Sequence, residues 1–377
     1  MKDSDSDNPA GQDSEREALS QLRVKIDSID EQIGELINAR ARCAQEVAEI
    51  KKLHSADGEI STFYRPEREA QVLRRAMERN TGPLDNEEFA RLFREIMSAC
   101  LALEAPVKVA YLGPEGTFTQ QAAIKHFGHS AHTVSLSAID EVFREVASGA
   151  AHFGVVPVEN STEGVVTHTL DNFLGSSVKI CGEVVLRIHH NFLVSDITRV
   201  DSISRVYSHA QSLSQCRKWL DAHYPRAERV AVSSNAEAAK RVKGEWNAAA
   251  IAGKMAAELY DLNLHAESIE DQPDNSTRFL IIGADEVEAS GDDKTSIVVS
   301  TRNEPGALHG LLEPFHRHNV DLTRVETRPS LTGTWNYVFF IDFSGHVSDS
   351  TIQAALSEVS SRVADLKILG SYPKGVL

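Results

Sequence analysis

The chain has 377 residues, enough for two or three domains, and its composition of 41% hydrophobic and 25% charged residues is typical of a globular protein. The formal net charge of −16 argues against nucleic acid or an anionic membrane as a partner, because either would require a basic face. Small anionic substrates stay possible, since they need only a local pocket of Arg and Lys.

The cysteines and the N-terminus give further limits. No CxxC pair and no His at metal-ligand spacing accompanies the four cysteines, so we expect no disulfide framework, no metal site and a reducing, cytoplasmic location. Residues 1–16 are polar and acidic without an apolar stretch, and they are predicted to be a disordered tail and not a signal peptide. No segment has the apolar length of a membrane span.

Residues 17–105 have a helical pattern throughout. Apolar residues spaced by three and four predict one long helix to about Leu53 that packs on a partner helix or another subunit; the stripe comprises Leu22, Ile26, Ile29, Ile33 and Leu36. "DGEIST" breaks the pattern. Pro66 suits the first position of a second helix, and Asp85 with Glu88 predicts a capping box for a third, which ends at about Glu104.

Residues 106–286 alternate short apolar runs with helical patterns. "VKVAYLG", "FGVVPVE", "RVYSHA", "RVAVSS" and "AAAIAG" are each followed by a turn and a helix, which predicts a mostly parallel sheet in two α/β lobes. "VVLRIHHNFLVS" is predicted to be one long strand, and "DNSTRFLII" contains a short buried strand.

After the linker "EVEASGDDK", residues 294–374 follow a βαββαβ order, which predicts a ferredoxin-like α+β domain. The predicted architecture is therefore multidomain: an all-α three-helix domain, a two-lobed α/β domain and a small α+β domain.

Cationic residues on the long helix suggest an anion site. Arg40 and Lys51 lie within about 20° of the same helix face and roughly 16 Å apart, so both could reach one small dianion. Arg23 is roughly 25 Å from Arg40 along the axis and could join such a pocket only on an antiparallel partner. Spacing alone would favour an ordinary solvated face.

The strings "LRVKIDSIDEQIGELINARARCAQEVAEIKK", "RPEREAQVL" and "RLFREIMSACLALE" closely resemble the all-helical chorismate mutases, which are three-helix chains that form an intertwined dimer. The resemblance implies a Claisen rearrangement of chorismate to prephenate that needs no cofactor. Arg23 and Arg40 would bind the two carboxylates and Lys51 would donate to the ether oxygen. The full implied pocket comprises Arg23, Arg40, Lys51, Arg68, Glu69, Cys100 and Glu104.

Two positions depart from that family. Many members have Gln where this chain has Glu104, and Ser where it has Cys100. A Glu can stabilise the ether oxygen only as a protonated donor, so we expect the pKa of Glu104 to be raised.

Three strings in the α/β segment place polar residues at a helix start: "GPEGTFTQQAA" with Thr117 as N-cap, "PVENSTEGVV" and "YSHAQSLSQC". Each could bind an anion, although ordinary capping is the better explanation for any one alone. His209 in the third string is more typical of a structural histidine.

Together with "DNSTRFLII", these strings closely resemble prephenate dehydratase, whose two lobes enclose a cleft. The resemblance places Thr277 at the catalytic centre, where it would donate a hydrogen bond to the departing hydroxyl as CO₂ leaves; Glu159 in its acid form is an alternative proton source. Arg278 would anchor a carboxylate or brace the loop. The implied catalytic residues are Thr277, Glu159, Asn160, Ser208 and Gln215, and the implied substrate-binding residues are Ser161, Arg278 and Phe279.

The last domain resembles the ACT domain, a ligand-sensing module. "EPGALHGLLEPF" and "VETRPS" match the strings that form its phenylalanine site in this enzyme family. The implied L-phenylalanine contacts are Gly306, Ala307, Leu308, Glu326, Thr327 and Arg328.

The order of the three resemblances implies an enzyme of phenylalanine synthesis with both activities, inhibited by L-phenylalanine and assembled as a homodimer or larger homo-oligomer. Its small-molecule partners would be chorismate, prephenate and L-phenylalanine. Two alternatives stay open at this point: a dehydratase with a weak or inactive mutase domain, and a non-catalytic sensor of phenylalanine or prephenate.

Overall fold

The structure is a computed structural model that describes residues 9–54, 64–301, 304–329 and 337–376. Two compact units divide the chain. One contains the first helix together with Ala99–Ala105, and the other contains Tyr64–Ser98 and Pro106–Leu377. The predicted helical domain therefore contributes to both units.

Helix α1 spans Pro9–His54. It begins inside the segment predicted to be a disordered tail, of which residues 1–8 lie outside the described part, as does the predicted break at residues 57–62. The apolar stripe of α1 is exposed in this single chain, from 44% at Ile29 to 70% at Leu36. A second row on the same helix is more buried, and Ala48 is 4% exposed.

Helices α2 (Pro66–Arg79) and α3 (Asn86–Glu104) begin where the sequence predicts. Proline occupies the first turn of α2, and the Glu88 N–H donates to Asp85 Oδ1 at 2.7 Å. The Glu88 carboxylate accepts from Arg91, so the Asp85 cap is confirmed while the Glu88 side chain makes a different bond from the one expected in a capping box.

Polar contacts also join Tyr64–Ser98 to the rest of the larger unit. Arg94 of α3 donates to the Lys125 carbonyl oxygen at 2.8 Å, and Arg74 of α2 donates to the Asp292 carbonyl oxygen at 2.8 Å. These bonds join α2 and α3 to the α/β domain and to its C-terminal linker.

The first lobe of the α/β domain is a mixed sheet in the order β2-β1-β3-β11-β5, with β4 paired to β3. Strands β1, β2 and β3 are parallel, whereas β11 is antiparallel to both β3 and β5. Its elements are β1 (Lys108–Leu112), α4 (Phe118–Phe127), β2 (His132–Leu136), α5 (Ile139–Ala147), β3 (Phe153–Asn160), β4 (Gly164–Val165), α6 (Thr167–Gly175), β5 (Lys179–Arg187) and β11 (Ser276–Gly283).

The second lobe is a sheet in the order β10-β6-β9-β7-β8. Apart from one short 3₁₀ turn (Val200–Ser202), its elements are β6 (Asn191–Val194), β7 (Arg205–His209), α7 (Ala210–Gln215), α8 (Arg217–His223), β8 (Glu228–Val232), α9 (Asn235–Val242), β9 (Ala248–Ala252), α10 (Lys254–Tyr260) and β10 (Asn263–Ala266). The two predicted lobes are thus present. The predicted mostly parallel sheet is wrong, because β11 and β6 each pair antiparallel with both of their neighbours.

The predicted long strand over "VVLRIHHNFLVS" is wrong. The structure divides it into β5 and β6, which belong to different sheets, and residues 188–190 cross between the lobes. The chain returns through residues 267–275 into β11. These two crossovers connect the lobes and define the lobe junction.

The C-terminal domain has the predicted βαββαβ order, with the sheet order β13-β14-β12-β15. Its elements are β12 (Asp293–Thr301), α11 (Ala307–Arg317), β13 (Leu322–Pro329), β14 (Tyr337–Ser344), α12 (Ser350–Arg362) and β15 (Asp365–Pro373). Phe340 and Tyr372 of this sheet share one buried apolar cluster with Leu280 of β11 and Phe173 of α6, so the C-terminal domain packs directly on the first lobe.

Candidate active and regulatory sites

The lobe junction brings together polar side chains from both lobes. Thr277 lies at the start of β11 opposite Asn160 at the end of β3. Asn160 Nδ2 is 2.8 Å from Thr277 Oγ1, and the Thr277 residue is 9% exposed. Because the amide nitrogen donates to the Thr277 oxygen, the hydroxyl hydrogen is left to bond a different acceptor. Thr277 is therefore arranged as a hydrogen-bond donor.

Gln215, at the end of α7 in the second lobe, extends this group. Its Nε2 donates to Thr162 Oγ1 of the first lobe at 2.8 Å, and its Oε1 accepts from Asn275 Nδ2 at 3.1 Å. Asn275 Oδ1 in turn accepts from Asn160 Nδ2 at 2.9 Å. A continuous chain of hydrogen bonds thus runs from Thr277 through Asn160 and Asn275 to Gln215.

Glu159 and Arg278 form the next pair in the same strand register and contact the C-terminal domain. Glu159 Oε2 accepts from Arg324 of β13 at 3.1 Å, and Arg278 binds Glu183 at 2.7 Å and Asp342 of β14 at 2.6 Å. Successive residues of a strand point to opposite faces, which separates this pair from Thr277 and Asn160. The geometry does not support the predicted acid role of Glu159 or a substrate carboxylate on Arg278.

Three further predicted cleft residues have other roles in this structure. The Ser208 hydroxyl, fully buried, donates to the Ile251 carbonyl oxygen at 2.7 Å and lies 2.8 Å from Asn235 Oδ1. Ser161 Oγ accepts from the Ser276 N–H at 3.0 Å, and Phe279 is buried in the core. Burial removes Ser208 and Phe279 from direct substrate contact, and Ser161 holds the start of β11 against the loop after β3.

The glycine loop before α4 lies against the second lobe. Gly116 has a φ of +82°, and a Cβ there would approach Ala256 Cα to 3.2 Å, so both the backbone conformation and the close packing require glycine. Thr117 occupies the predicted N-cap position of α4, but its hydroxyl donates to the Leu112 carbonyl oxygen at 3.3 Å.

Arg40, Lys51 and Glu104 of the predicted mutase pocket interact within the smaller unit. Burial raises the pKa of Glu104, while the positive charges of Lys51 and Arg40 act in the opposite direction. Glu104 Oε2 is buried without a hydrogen-bond partner among the described residues. A raised pKa favours the protonated form of the carboxyl, which is the form that can donate a hydrogen bond.

The other predicted mutase residues divide between the two units, with Arg23 and Cys100 in the smaller unit and Arg68 and Glu69 in the larger one. Glu69 belongs to the larger unit, where its Oε1 accepts from Arg94 Nε at 3.1 Å with a side chain 13% exposed; burial raises its pKa while Arg94 lowers it. Arg68 and Arg23 are exposed, and Cys100 is buried. The ion pair with Arg94 does not support a substrate contact for Glu69 within one chain.

A cavity of about 250 Å³ opens at the start of α11. Gly306, with a φ of +86°, is the N-cap, so the chain turns into the helix through a conformation that favours glycine. The predicted ligand contacts Gly306, Ala307 and Leu308 all line the cavity, which also includes Thr301, Glu304, His309, Tyr337 and Phe339.

The predicted contacts on β13 divide between two faces. Thr327 lies opposite the cavity residue Phe339 in the strand register. Arg328 instead makes three bonds to Asp171 of α6, at 2.9, 3.0 and 3.3 Å, and Glu326 shares the Arg328 side of the strand by alternation. Arg328 is therefore a contact to the first lobe and not a ligand contact in this structure.

Sequence reasoning missed Asn275, His190 and Arg324. Asn275 precedes the "STRF" string and could have been included with it, and Arg324 lies three residues before the "TRP" string. His190 was concealed because its segment was assigned to a strand, whereas its ring contacts Gln215 at the lobe junction.

Within the described ranges, no group of three His, Cys, Asp or Glu side chains could hold a metal ion. Among the helices of the same ranges, none combines the length and apolarity needed to cross a membrane. All four cysteines are free thiols.

Comparison with known families agrees with the three-part architecture. Chorismate mutase type II matches residues 22–105, prephenate dehydratase matches residues 109–287, and the ACT domain matches residues 295–361. A curated bifunctional chorismate mutase/prephenate dehydratase of Pseudomonas aeruginosa is 66% identical over 363 residues, covering 96% of this chain and all of the relative. The chain belongs to this bifunctional family. A relative with the same name in Neisseria gonorrhoeae is 51% identical and covers 96% of this chain and 98% of that protein.

Solved structures of prephenate dehydratases are similar to 71% of this chain. Prephenate dehydratase from Arthrobacter aurescens, solved in complex with L-Phe, is 33% identical with a TM-score of 0.66 and covers 71% of this chain and 90% of that one. The enzyme from Staphylococcus aureus is 27% identical with a TM-score of 0.63 and covers 71% of this chain and all of that one.

Proposed function

We propose that this chain converts chorismate to prephenate at its helical domain and prephenate to phenylpyruvate at the lobe junction, under feedback inhibition by L-phenylalanine. The observation that carries the dehydratase part is the bond from Asn160 Nδ2 to Thr277 Oγ1, which leaves the Thr277 hydroxyl hydrogen for the substrate. Membership in the bifunctional family supports both activities together.

In the dehydratase step, the substrate loses CO₂ and its ring hydroxyl, and formation of an aromatic ring supplies the driving force. Thr277 would donate a hydrogen bond to the departing hydroxyl, where negative charge develops. Asn160 and Asn275 would hold Thr277 in place, and Gln215 would join the two lobes around the substrate. Each member of this group is a neutral hydrogen-bonding residue, so the departing carboxylate is not held by a strong charge.

In the mutase step, Arg23 and Arg40 would bind carboxylates, while Lys51 and protonated Glu104 would stabilise charge on the ether oxygen. The raised pKa of Glu104 supports its role as a donor. Contacts of Arg68, Glu69 and Cys100 with substrate stay a prediction that the assembled enzyme must test.

We also propose a homodimer built on α1. Five large apolar residues of its stripe are 44–70% exposed in one chain, which is unfavourable in water and typical of an interface. An antiparallel second copy would cover the stripe and bring its Arg23 near the other pocket.

The free thiols support a reducing, cytoplasmic location.

For regulation, we propose that L-phenylalanine binds the cavity at the start of α11. The match to the ACT family and the L-Phe complex of the Arthrobacter aurescens relative support this assignment. Arg324 and Arg328 of β13 would connect this domain to the catalytic lobe through Glu159 and Asp171.

The direct test is to supply chorismate alone to purified protein near neutral pH, stop the reaction in base and quantify chorismate, prephenate and phenylpyruvate over time. Phenylpyruvate above the enzyme-free control is the expected result. Accumulation of prephenate alone would contradict the dehydratase assignment. Intact chorismate would contradict the mutase assignment, and a second run with prephenate would then identify a dehydratase with an inactive mutase or a non-catalytic sensor.

A further inference from the structure

His190 lies in the crossover between β5 and β6, at the lobe junction. Its ring is buried, and His190 Nε2 is 2.8 Å from Gln215 Oε1. The ring also meets Phe118 edge to face, with centroids 5.7 Å apart. Its position is therefore determined by packing on one side and by the Gln215 amide on the other.

The bonds of Gln215 determine which nitrogen of His190 holds the proton. Gln215 Nε2 already donates to Thr162 Oγ1 at 2.8 Å, so the oxygen of the amide faces His190 and Asn275. An amide oxygen can only accept, which requires the hydrogen on His190 Nε2. His190 Nδ1 is then a buried acceptor, and it has no hydrogen-bond partner among the described residues. Burial lowers the pKa of His190, although the bond to Gln215 acts in the opposite direction, which agrees with a neutral ring.

The crossover itself is fixed to the returning segment. The His190 N–H donates to Glu270 Oε2 at 2.9 Å, and the Ile269 N–H donates to the His190 carbonyl oxygen at 2.8 Å. The second crossover also supplies Asn275, which donates to the same oxygen of Gln215 at 3.1 Å. Both crossovers therefore orient one amide, and that amide joins the two lobes.

We propose that His190 is a positioning residue for the dehydratase reaction, which acts through Gln215 and does not touch the substrate. This inference rests on the proposed role of Gln215. Without the His190 donor, the Gln215 oxygen loses its shorter bond, and only the contacts with Thr162 and Asn275 hold the amide. A shift of this less constrained amide would weaken the chain of bonds through Asn160 to Thr277.

Substitution of His190 by each of the two amide residues distinguishes a hydrogen bond to Gln215 from a role of the ring in packing alone. In His190→Gln the side-chain nitrogen extends to about the place of Nε2, whereas in His190→Asn it stops near Nδ1 and cannot reach Gln215. We expect His190→Asn to lower the dehydratase kcat between about 10- and 100-fold with little change in KM, because a misplaced group reduces rate by up to about that factor. His190→Gln should restore most of the rate. Equal kcat values for the two variants would overturn the proposal.

A double-mutant cycle with Gln215→Ala tests the path of the effect. We expect His190→Asn to change kcat by less than about 2-fold in the Gln215→Ala background, since residues that act as a unit are not additive. An undiminished effect there would show that His190 does not act through Gln215. Full activity of Gln215→Ala alone would instead refute the proposed role of Gln215. Mutase turnover and the melting temperature of each variant monitor folding.

The wild-type enzyme offers a test that needs no stable variant. In a ¹⁵N-histidine NMR spectrum, His190 should be neutral with its hydrogen on Nε2 and with Nδ1 unprotonated. A hydrogen on Nδ1 in the neutral ring would overturn the proposal, because Nε2 could not then donate to Gln215.

Discussion

Strands β3 and β11 carry two neighbouring residue pairs with different partners. Thr277 and Asn160 bond each other at the lobe junction, whereas Glu159 and Arg278, one position along, bond the C-terminal domain. Strand alternation explains how adjacent residues face the lobe junction on one side of the sheet and the C-terminal domain on the other. Under the proposed function, these two sides are the catalytic face (Thr277 and Asn160) and the regulatory face (Glu159 and Arg278).

The catalytic face is tested most strongly by Thr277→Val, which keeps the shape of the side chain and removes its hydroxyl. We expect the dehydratase kcat to fall between about 100- and 1,000-fold, the usual cost of one donor to a developing negative charge. Thr277→Ser is the matched control and should retain most of the rate. Near-normal turnover by Thr277→Val, measured as phenylpyruvate formed from prephenate, would contradict the assignment.

The predicted mutase residues do not lie on strands β3 and β11. The mutase activity should therefore respond to pH independently of the dehydratase activity. Because only protonated Glu104 can donate, activity should fall as the pH rises through its raised pKa, by about tenfold per pH unit above it. Glu104→Gln should flatten the mutase profile and leave the dehydratase profile unchanged. A mutase profile that keeps its wild-type shape in Glu104→Gln would argue against this role.

The regulatory face is tested by Arg324→Gln. Arg324→Gln leaves Glu159 without its partner, but the Glu159 side chain is 40% exposed and water can hydrate it. Glu159→Gln would instead leave the charge of Arg324 without its partner, and Arg324 Nη2 is already buried without a hydrogen-bond partner among the described residues. Arg324→Gln is therefore the preferable substitution. We expect L-phenylalanine inhibition of the dehydratase to weaken by about 5-fold or more, within the usual range of coupling between sites. Turnover without L-phenylalanine should stay near the wild-type value, and unaltered inhibition would remove Arg324 from the coupling path.

Ser208→Ala should have the smallest effect on turnover. Its hydroxyl is buried and bonded to the Ile251 carbonyl oxygen, so we expect a loss of about 1 kcal/mol in the free energy of unfolding and a kcat within a few-fold of wild type. Urea denaturation and prephenate kinetics measure the two quantities. A loss of kcat as large as that of Thr277→Val would return Ser208 to the catalytic group.

Much of the fold follows from local sequence signals. Pro66, Asp85 and the βαββαβ order predicted elements that the structure contains, because proline, caps and apolar periodicity act over a few residues. The strand break at residues 188–190 was not predicted. Both halves of that segment are largely apolar. Only tertiary contacts, such as the bonds from the His190 N–H to Glu270 and from the Ile269 N–H to the His190 carbonyl oxygen, distinguish two strands from one.

The sequence indicates some residues of the lobe junction but not the contacts of their neighbours. The motif containing Thr277 correctly indicated a polar strand start, and Asn160 and Gln215 do join it. The same motif could not show that Arg278 contacts another domain, because its partner Asp342 is 64 residues away in sequence. Family motifs select residues near a site, and side-chain direction then decides which of them face the substrate.

Catalysis and domain contact are expected to use separate faces of β3 and β11, and one paired experiment tests this separation. Thr277→Val and Arg324→Gln would each be measured for dehydratase turnover and, by calorimetry, for L-phenylalanine binding. We predict that Thr277→Val loses turnover and binds L-phenylalanine as the wild type does, whereas Arg324→Gln keeps turnover and loses sensitivity to inhibition. If Arg324→Gln lost turnover to the same extent as Thr277→Val, catalysis and domain contact would not be separable, and the account would be contradicted.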